Sequence, residues 1–412
     1  MDTLFRALEE DASVRKIQEL FAGEGGTSLV YGLSGSQKHA VYAAAYAAAP
    51  RPTVIIVHSR ESLEDWREDL AGLLPQVTVL ELPEVDAAGE VFRAAASGRE
   101  RSARRMDVLG RLVRGEQLIV LALAGAAVAK GMSRSDFSRL SLRLGTGETF
   151  GLAHLIERLA GLGYERVEEV EAMGQFSARG GIVDVFPVNR TTPVRVEFFD
   201  EEIDSLREYD LGTKRSVKSI GALSILPLAQ AEATGKPEPF LSYLSAEGTV
   251  IFDEPTRIRE AIRTLVKENP DGKGQLFRWE DLLAAAEAHT VVFSALMLQQ
   301  VHGCTPDVTM SVTVTNMTPF QRQMDLLASE LSRWLAAGER VLALVGTREK
   351  ADGLRELLAK RRIPSAVTEE GAALDSRLVS VQVGRLLAGF EFAQDHLVVL
   401  TEKDIFEIGR AS

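Results

Sequence analysis

The sequence predicts an α/β protein: a parallel-sheet domain of the phosphate-loop type, interrupted by a small antiparallel α+β domain and followed by a third, small α/β domain. Three observations support this prediction. Apolar runs alternate with helical patterns in both outer parts of the chain, short alternating strands lie between them, and a glycine-containing loop follows the first apolar run. The expected domains are 1–136 with 223–306 for the interrupted domain, 137–222 for the insertion, and 307–412 for the third domain with its N-terminal connector.

The first segment has the alternation of strands and helices that is typical of a parallel sheet. Four apolar runs are expected to form buried strands: 28–32, 52–58, 77–82 and 117–123. In the run 99–114, Met106, Leu109 and Val113 recur at helical spacing. We interpret it as a surface helix rather than a DNA site, with a solvated basic face made of Arg101, Arg104, Arg105 and Arg111.

The pattern changes near residue 137, where short strands with tight turns begin. In the run 194–199, apolar side chains alternate with Arg195 and Glu197, as in a strand with one buried face. The acidic turn 200–202 then leads into the next strand. The pair Gly180-Gly181 predicts another hairpin turn. Local strands of this kind indicate a small antiparallel domain.

The parallel pattern returns after a linker at 235–239. Strands are expected at 249–253 and 290–294, and a polar stretch between Pro306 and Pro319 is interpreted as a connector. Beyond the connector, apolar runs alternate with helical patterns again. The expected elements of the third domain are strands at 340–346, 378–383 and 396–401 and a helix at 350–360.

A loop of the phosphate-binding kind follows the first predicted strand. A working loop reads GxxxxGK[ST], in which the second glycine admits the phosphates, the lysine reaches them and the hydroxyl binds magnesium. Here Gln37 stands in place of that glycine and His39 in place of the hydroxyl, so that only Lys38 of this end remains. We predict that the degenerate loop binds no nucleotide; its residues are Gly32, Gly35, Gln37, Lys38 and His39.

The apolar run 249–252 ends in Asp253 and Glu254, as does an ATPase strand that holds magnesium. Without a competent phosphate loop, such a pair has no nucleotide to act on. A degenerate acidic motif is one interpretation. The other, favoured on the residues alone, is that the two acids cap a helix that starts near Pro255.

The composition limits the possible functions. A chain of 412 residues that is 45% apolar has the length of about two to four globular domains. The net charge of −12 argues against strong DNA binding by this chain, because that affinity comes from neutralising phosphates. The single cysteine, Cys304, and the scattered histidines predict no metal site. Since no apolar run could span a membrane, we expect a cytoplasmic protein without a membrane partner.

An arginine-containing cluster lies in the predicted insertion. Arg166 and Arg179 lie on or beside its small sheet, with Phe176 nearby. Arginine and aromatic side chains anchor many protein interfaces. Composition alone favours the plainer interpretation, in which these are surface arginines paired with nearby acids: Glu165, Glu168 or Asp184.

The order of motifs in this region resembles the second domain of bacterial transcription-repair coupling factors, which is shared with the excision-repair protein UvrB. Four motifs carry the resemblance: Tyr164-x-Arg166, Gly174-x-Phe176-x-x-Arg179-Gly180, Asp184-Val-Phe186-Pro187 and the run from Val196 to Arg207. It extends over essentially the whole chain. Further similar segments are the decayed phosphate loop at Gly32 to Gly35, the decayed acidic motif at Asp253-Glu254-Pro255, and Gly389-Phe390-x-Phe392 near the end of the third domain.

The resemblance implies a catalytically inactive, UvrB-type adaptor that binds UvrA through Arg166, Phe176 and Arg179. It also implies that this region needs no cofactor. ATP, Mg²⁺, RNA polymerase and double-stranded DNA would be bound by further domains of full-length members, which are expected to be ATP-dependent DNA translocases. The alternative from the enzyme class is a UvrB-type ATPase and helicase, against which Gln37 and His39 argue.

Overall fold

A computed structural model describes residues 1–23, 25–84, 96–228, 234–268, 276–320, 322–392 and 394–406, with backbone alone at 96–99. The predicted end of the third domain at residue 412 therefore lies outside the described residues. The described chain forms a parallel-sheet unit, an insertion (142–225) and a C-terminal unit (315–406).

The first part of the parallel-sheet unit consists of α1 (Asp2–Leu8), α2 (Ala12–Ala22), β1 (Thr27–Tyr31), α3 (Gly35–Ala48), β2 (Thr53–Val57), α4 (Arg60–Leu73), β3 (Val79–Leu82), α5 (Ala96–Val113), β4 (Ile119–Leu123), α6 (Ala124–Val128) and α7 (Arg134–Leu140). The insertion consists of β5 (Leu142–Gly145), α8 (Leu152–Gly161), β6 (Glu165–Arg166), β7 (Gln175–Arg179), β8 (Ile182–Val185), β9 (Val194–Phe199), β10 (Glu202–Tyr209), β11 (Ser216–Ser219) and β12 (Ala222–Ile225).

A 3₁₀ turn (Phe240–Tyr243) leads into the second part of the parallel-sheet unit, which consists of β13 (Thr249–Asp253), α9 (Pro255–Glu268), α10 (Trp279–Ala286), β14 (Thr290–Ala295) and β15 (Val308–Ser311). The C-terminal unit consists of β16 (Thr315–Asn316), α11 (Met324–Ala336), β17 (Arg340–Val345), α12 (Arg348–Lys360), β18 (Ser365–Val367), β19 (Val379–Val383), β20 (Phe390–Phe392), β21 (Leu397–Thr401) and α13 (Glu402–Phe406).

The parallel-sheet unit contains a seven-stranded sheet in the order β15-β1-β14-β13-β2-β4-β3. Every neighbouring pair in it is parallel. Strands from the two segments are interleaved, because β1 lies between β15 and β14 and β13 pairs with β2, so the sheet needs both segments. The prediction of an α/β protein with a large parallel sheet is confirmed.

The insertion is built on a six-stranded sheet in the order β11-β10-β9-β8-β7-β6. Its strands are antiparallel except for the edge strand β6, which runs parallel to β7. The chain enters and leaves through a separate two-stranded sheet of β5 and β12, where Leu142 pairs with Ile225. This pairing extends three residues beyond the predicted boundary at 222.

The C-terminal unit has a mixed six-stranded sheet in the order β16-β20-β21-β17-β19-β18. The strands from β21 to β18 are parallel, whereas β20 and β16 add antiparallel pairs at one edge. The segment predicted to be a connector contributes strands to two sheets. Val308–Ser311 pairs with β1 of the parallel-sheet unit, and Thr315–Asn316 pairs with β20.

The seven-stranded sheet has a hydrophobic core on each face, because successive side chains of a strand point in opposite directions. Ile56 belongs to the core that continues into the insertion, together with residues such as Phe176. Its neighbour Ile55 belongs to the core that continues through the α1 to α4 helices into the C-terminal unit, where it includes Leu342 and Phe390. The insertion and the C-terminal unit therefore pack on opposite faces.

The predicted solvated basic face of α5 is wrong for one of its arginines. Arg105 is 6% exposed, and its guanidinium donates to the carbonyl oxygens of Pro83 (2.8 Å) and Ala126 (3.1 Å). Burial lowers the pKa of Arg105 to about 10. Helical spacing separates charged from apolar positions, but it does not reveal that backbone acceptors of other segments surround one charged side chain.

The contact between the parallel-sheet unit and the C-terminal unit can be tested at Gly72, inside α4. Alanine at a helical glycine normally stabilises a helix by about 1 kcal/mol. At Gly72, however, a β-carbon would lie 2.4 Å from the carbonyl oxygen of Arg385. We expect Gly72→Ala to lower the melting temperature. The matched control Gly353→Ala, in α12 with nothing within 4 Å, should raise it. Equal gains in both variants would contradict the packing of these units.

Candidate functional site

The arginines of the insertion lie at the edge of its six-stranded sheet. Arg166 ends the edge strand β6 and Arg179 ends β7, and both are exposed. Together with Val167, Glu168 and Ala178 they line an open groove, which we call the arginine groove. Its position at a strand edge leaves the groove accessible to another molecule.

The nearby acids do not neutralise these two arginines. Asp184 is occupied by Arg195, whose Nε and Nη2 donate to its two oxygens at 2.7 and 2.8 Å. Arg179 instead donates to the backbone oxygen of Glu168. Within the described part of the chain, neither Arg166 nor Arg179 forms an ion pair. Two exposed guanidinium groups are therefore available to an acidic partner.

Phe176 was expected to contact the partner directly, but it does not have the surface position that a docking residue needs. In register it pairs with Arg166, but its side chain is 0% exposed and belongs to the core that underlies the sheet. Alternation along β7 directs Phe176 and Ala178 inward and Arg179 outward. Phe176 supports the arginine groove from below.

The degenerate phosphate loop lies at the edge of the parallel sheet where the strands end, as a nucleotide site does. Gly32 has a φ of +97°, and its N–H donates to the carbonyl oxygens of Ala295 and Leu296. A β-carbon at Gly32 would lie 2.1 Å from the carbonyl oxygen of Val312. The backbone of the segment after β15 therefore packs directly against the backbone of the loop. Gly35, at the start of α3, also has a positive φ, of +51°.

Residues outside the parallel-sheet unit occupy the polar groups at the start of α3. Ser36 Oγ accepts a hydrogen bond from the Ala388 N–H at 3.0 Å. Gln37 Nε2 donates to Asn316 Oδ1 at 2.8 Å and to Ser34 Oγ at 3.1 Å. The first turn of this helix thus holds the C-terminal unit in place.

Lys38 and Asp253 form a buried ion pair. Lys38 Nζ lies 2.7 and 2.8 Å from the two carboxylate oxygens of Asp253, which is 1% exposed. Trp66 Nε1 also donates to this carboxylate, at 2.8 Å. Burial acts to raise the pKa of Asp253, but the charge and hydrogen bonds of Lys38, with the Trp66 bond, lower it below its ordinary value. The lysine that would reach a phosphate is held by a carboxylate of its own chain.

His39 and Glu254 also have internal partners. His39 Nδ1 lies 2.6 Å from Asp69 Oδ2, and Asp69 Oδ1 accepts from the Leu387 N–H at 2.7 Å. Burial lowers the pKa of His39, which favours the neutral imidazole. Glu254 Oε1 accepts from the Leu296 N–H at 2.7 Å. Both acids therefore have side-chain partners, and Glu254 also directly precedes α9, where its carbonyl oxygen accepts from the Ile258 N–H at 3.0 Å.

Sequence reasoning did not identify Trp66 or Asp69 as parts of this site. Both lie in α4, on its buried side. The sequence did offer one indication that Asp69 has a partner: it is an ionisable residue at a buried helical position, and such a group in a core requires one. Its partner, however, could not be assigned from spacing.

Two kinds of comparison relate this chain to known proteins. Residues 142–230 match the family model of the UvrB interaction domain, and this range contains the arginine groove. The transcription-repair-coupling factor of Bacillus subtilis (strain 168) is 26% identical over 92% of this chain and 38% of its own length. That of Staphylococcus epidermidis (strain ATCC 12228) is 24% identical over 97% of this chain and 40% of its own length.

The chain is similar to these transcription-repair-coupling factors over more than nine tenths of its own length. The resemblance predicted from the motifs is thereby confirmed. The chain spans about two fifths of the length of the curated relatives it matches, 38% and 40% in the two cases above. A structure described as a hypothetical ATP-dependent RNA helicase from Sulfolobus tokodaii aligns with a TM-score of 0.27 and 10% identity, which is too low to support an inference.

In the described residues, no group of three or more His, Cys, Asp or Glu side chains is placed to hold a metal ion. No helix in that part of the chain is long and apolar enough to cross a membrane.

The role of Lys38 can be tested by stability. Lys38→Ala leaves the Asp253 carboxylate buried without its counter-charge, so we expect a loss of about 3–5 kcal/mol in the free energy of unfolding at neutral pH. Lys350→Ala is the matched control, because its partner Glu402 is a partly exposed residue and the pair is worth about 1 kcal/mol or less. Urea denaturation measures both. Similar small losses would contradict a structural role for Lys38.

Proposed function

We propose that this chain is the UvrA-binding region of a transcription-repair-coupling factor and acts in transcription-coupled nucleotide excision repair. The observation that carries the proposal is the arginine groove. It presents Arg166 and Arg179 without an ion pair among the described residues, within the range that matches the UvrB interaction domain. In a chain of net charge −12, two such cations at a sheet edge favour an acidic partner surface.

The proposed mechanism is recruitment without catalysis. The chain would bring UvrA to stalled RNA polymerase, whereas RNA polymerase and double-stranded DNA would be bound by further domains of the coupling factor. ATP and Mg²⁺ would be used there to drive the translocase that displaces the polymerase. For the region described here we propose no catalytic residue and no cofactor.

A UvrB-type ATPase is the second candidate, suggested by the fold position of the phosphate loop. The internal contacts of Gln37, Lys38 and His39 argue against it, since each side chain that would face a nucleotide bonds to the protein itself. Calorimetric titration of the chain with ATP and Mg²⁺ distinguishes the two functions. Saturable, Mg²⁺-dependent ATP binding by the wild-type chain would favour the ATPase.

We expect substitutions in the arginine groove to weaken UvrA binding without unfolding the protein. Arg166→Ala and Arg179→Ala should each lower the affinity about thirtyfold, as hot-spot residues do. Arg179→Glu should lower it further, because it places like charges in contact. The melting temperature should change little, since the side chains are exposed.

The matched control for these substitutions is Arg263→Glu, which reverses the charge of an exposed arginine in α9, outside the insertion. Biolayer interferometry gives the affinity for UvrA, and calorimetry gives the melting temperature on the same samples. Wild-type affinity in the double variant Arg166→Ala with Arg179→Glu would refute the site. An equal loss in Arg263→Glu would indicate a general charge effect instead.

A further inference from the structure

Phe199 is an exposed aromatic residue on the insertion. It lies within the run from Val196 to Arg207 but was not predicted to be a site residue. Its side chain is 79% exposed, more than any other large apolar side chain in the described part of the chain. A large apolar group left in water stabilises nothing in the free protein, and aromatic residues of this kind are enriched at protein interfaces. Its place in the sheet indicates which surface of the insertion it belongs to.

Alternation along β9 determines the direction of Phe199. Val194 and Val196 are fully buried, so the odd-numbered residues Arg195, Glu197 and Phe199 lie on the opposite face of the sheet. We call this the outer face. The other two β9 side chains on this face are polar: Arg195 is paired with Asp184, and Glu197 is paired with Arg207 at 3.5 Å. Phe199 is thus an apolar side chain at the end of a polar, ion-paired surface.

The outer face is continuous with the arginine groove. Arg179 is in register with Ile182, and Ile182 is in register with Glu197, so these three side chains form one row across three strands. The two hairpin tips are also bonded, because the Phe198 N–H donates to the Gly181 carbonyl oxygen at 2.8 Å. Phe199 therefore lies two residues along β9 from Glu197, on the same face as the row that begins at Arg179.

The backbone holds Phe199 in a fixed position. Asp200 has a φ of +56° in the two-residue turn between β9 and β10. The carbonyl oxygen of Glu201 in this turn accepts from the N–H groups of Phe150 and Gly151, both at 3.0 Å. A side chain presented from such an anchored turn loses little backbone freedom on binding, which favours affinity.

We propose that Phe199 is the aromatic anchor of the UvrA-binding surface, inserted into an apolar pocket of UvrA while Arg179 meets acidic groups at its rim. This inference rests on the proposed function. It replaces the buried Phe176 with a residue that a partner can reach. Hot spots typically combine a desolvated aromatic residue with arginine, as this pair would.

The test measures UvrA affinity by biolayer interferometry for the wild type, Phe199→Ala and Phe199→Tyr. We expect Phe199→Ala to lower the affinity at least about tenfold and Phe199→Tyr to keep it within about threefold. The matched control is Val217→Ala, on β11 at the opposite edge of the same sheet, where the side chain is 67% exposed. It should bind as the wild type does, and all melting temperatures should stay unchanged.

The outcomes separate this inference from the proposed function. If the wild type binds UvrA, Arg179→Glu does not, and Phe199→Ala binds normally, the anchor is refuted and the proposed function stands. If the wild type does not bind, the proposed function itself fails. Analytical ultracentrifugation tests the other possibility, that Phe199 contacts a second copy of the chain. Self-association that depends on Phe199, with unchanged UvrA affinity, would also overturn the inference.

Discussion

The buried ion pair of Lys38 and Asp253 joins the degenerate phosphate loop to the acidic motif at one edge of the parallel sheet. A carboxylate and an ammonium group removed from water remain charged only if each has a close partner. The pair joins α3 to the end of β13, and Trp66 joins α4 to the same carboxylate. Three elements are therefore fixed at the edge of the sheet where a nucleotide would otherwise be held, and the lysine has no free charge for a phosphate.

The C-terminal unit covers this edge of the sheet, whereas the insertion remains open to other molecules. The C-terminal unit bonds to the same corner through Ala388 and Leu387, and its core is continuous with that of the α1 to α4 helices. The insertion packs on the other face of the sheet and keeps its own sheet edge exposed. The degenerate loop and the acidic motif thus support the architecture, while the proposed recognition surface lies on the insertion.

Local pattern predicted the strand 194–199 with the bounds that the structure has, because alternating burial is a property of neighbouring residues. The degenerate loop was also recognisable, since its defects lie within one motif. Contacts between distant segments were not predictable: the partner of Lys38 lies 215 residues away, and that of His39 lies 30 residues away. The assignment of Phe176 failed for the same reason, because a single strand does not reveal which of its faces its neighbours cover.

We propose that one surface of the insertion binds UvrA, and we expect the degenerate loop to bind no nucleotide. Backbone hydrogen exchange, followed by mass spectrometry, tests both parts in one measurement on the free chain, with UvrA, and with ATP and Mg²⁺. We predict slower exchange with UvrA at 165–168, 179–182 and 198–202, and no change at 32–39 with ATP. Slower exchange at 32–39 with ATP, or unchanged exchange throughout the insertion in a UvrA complex, would contradict this prediction.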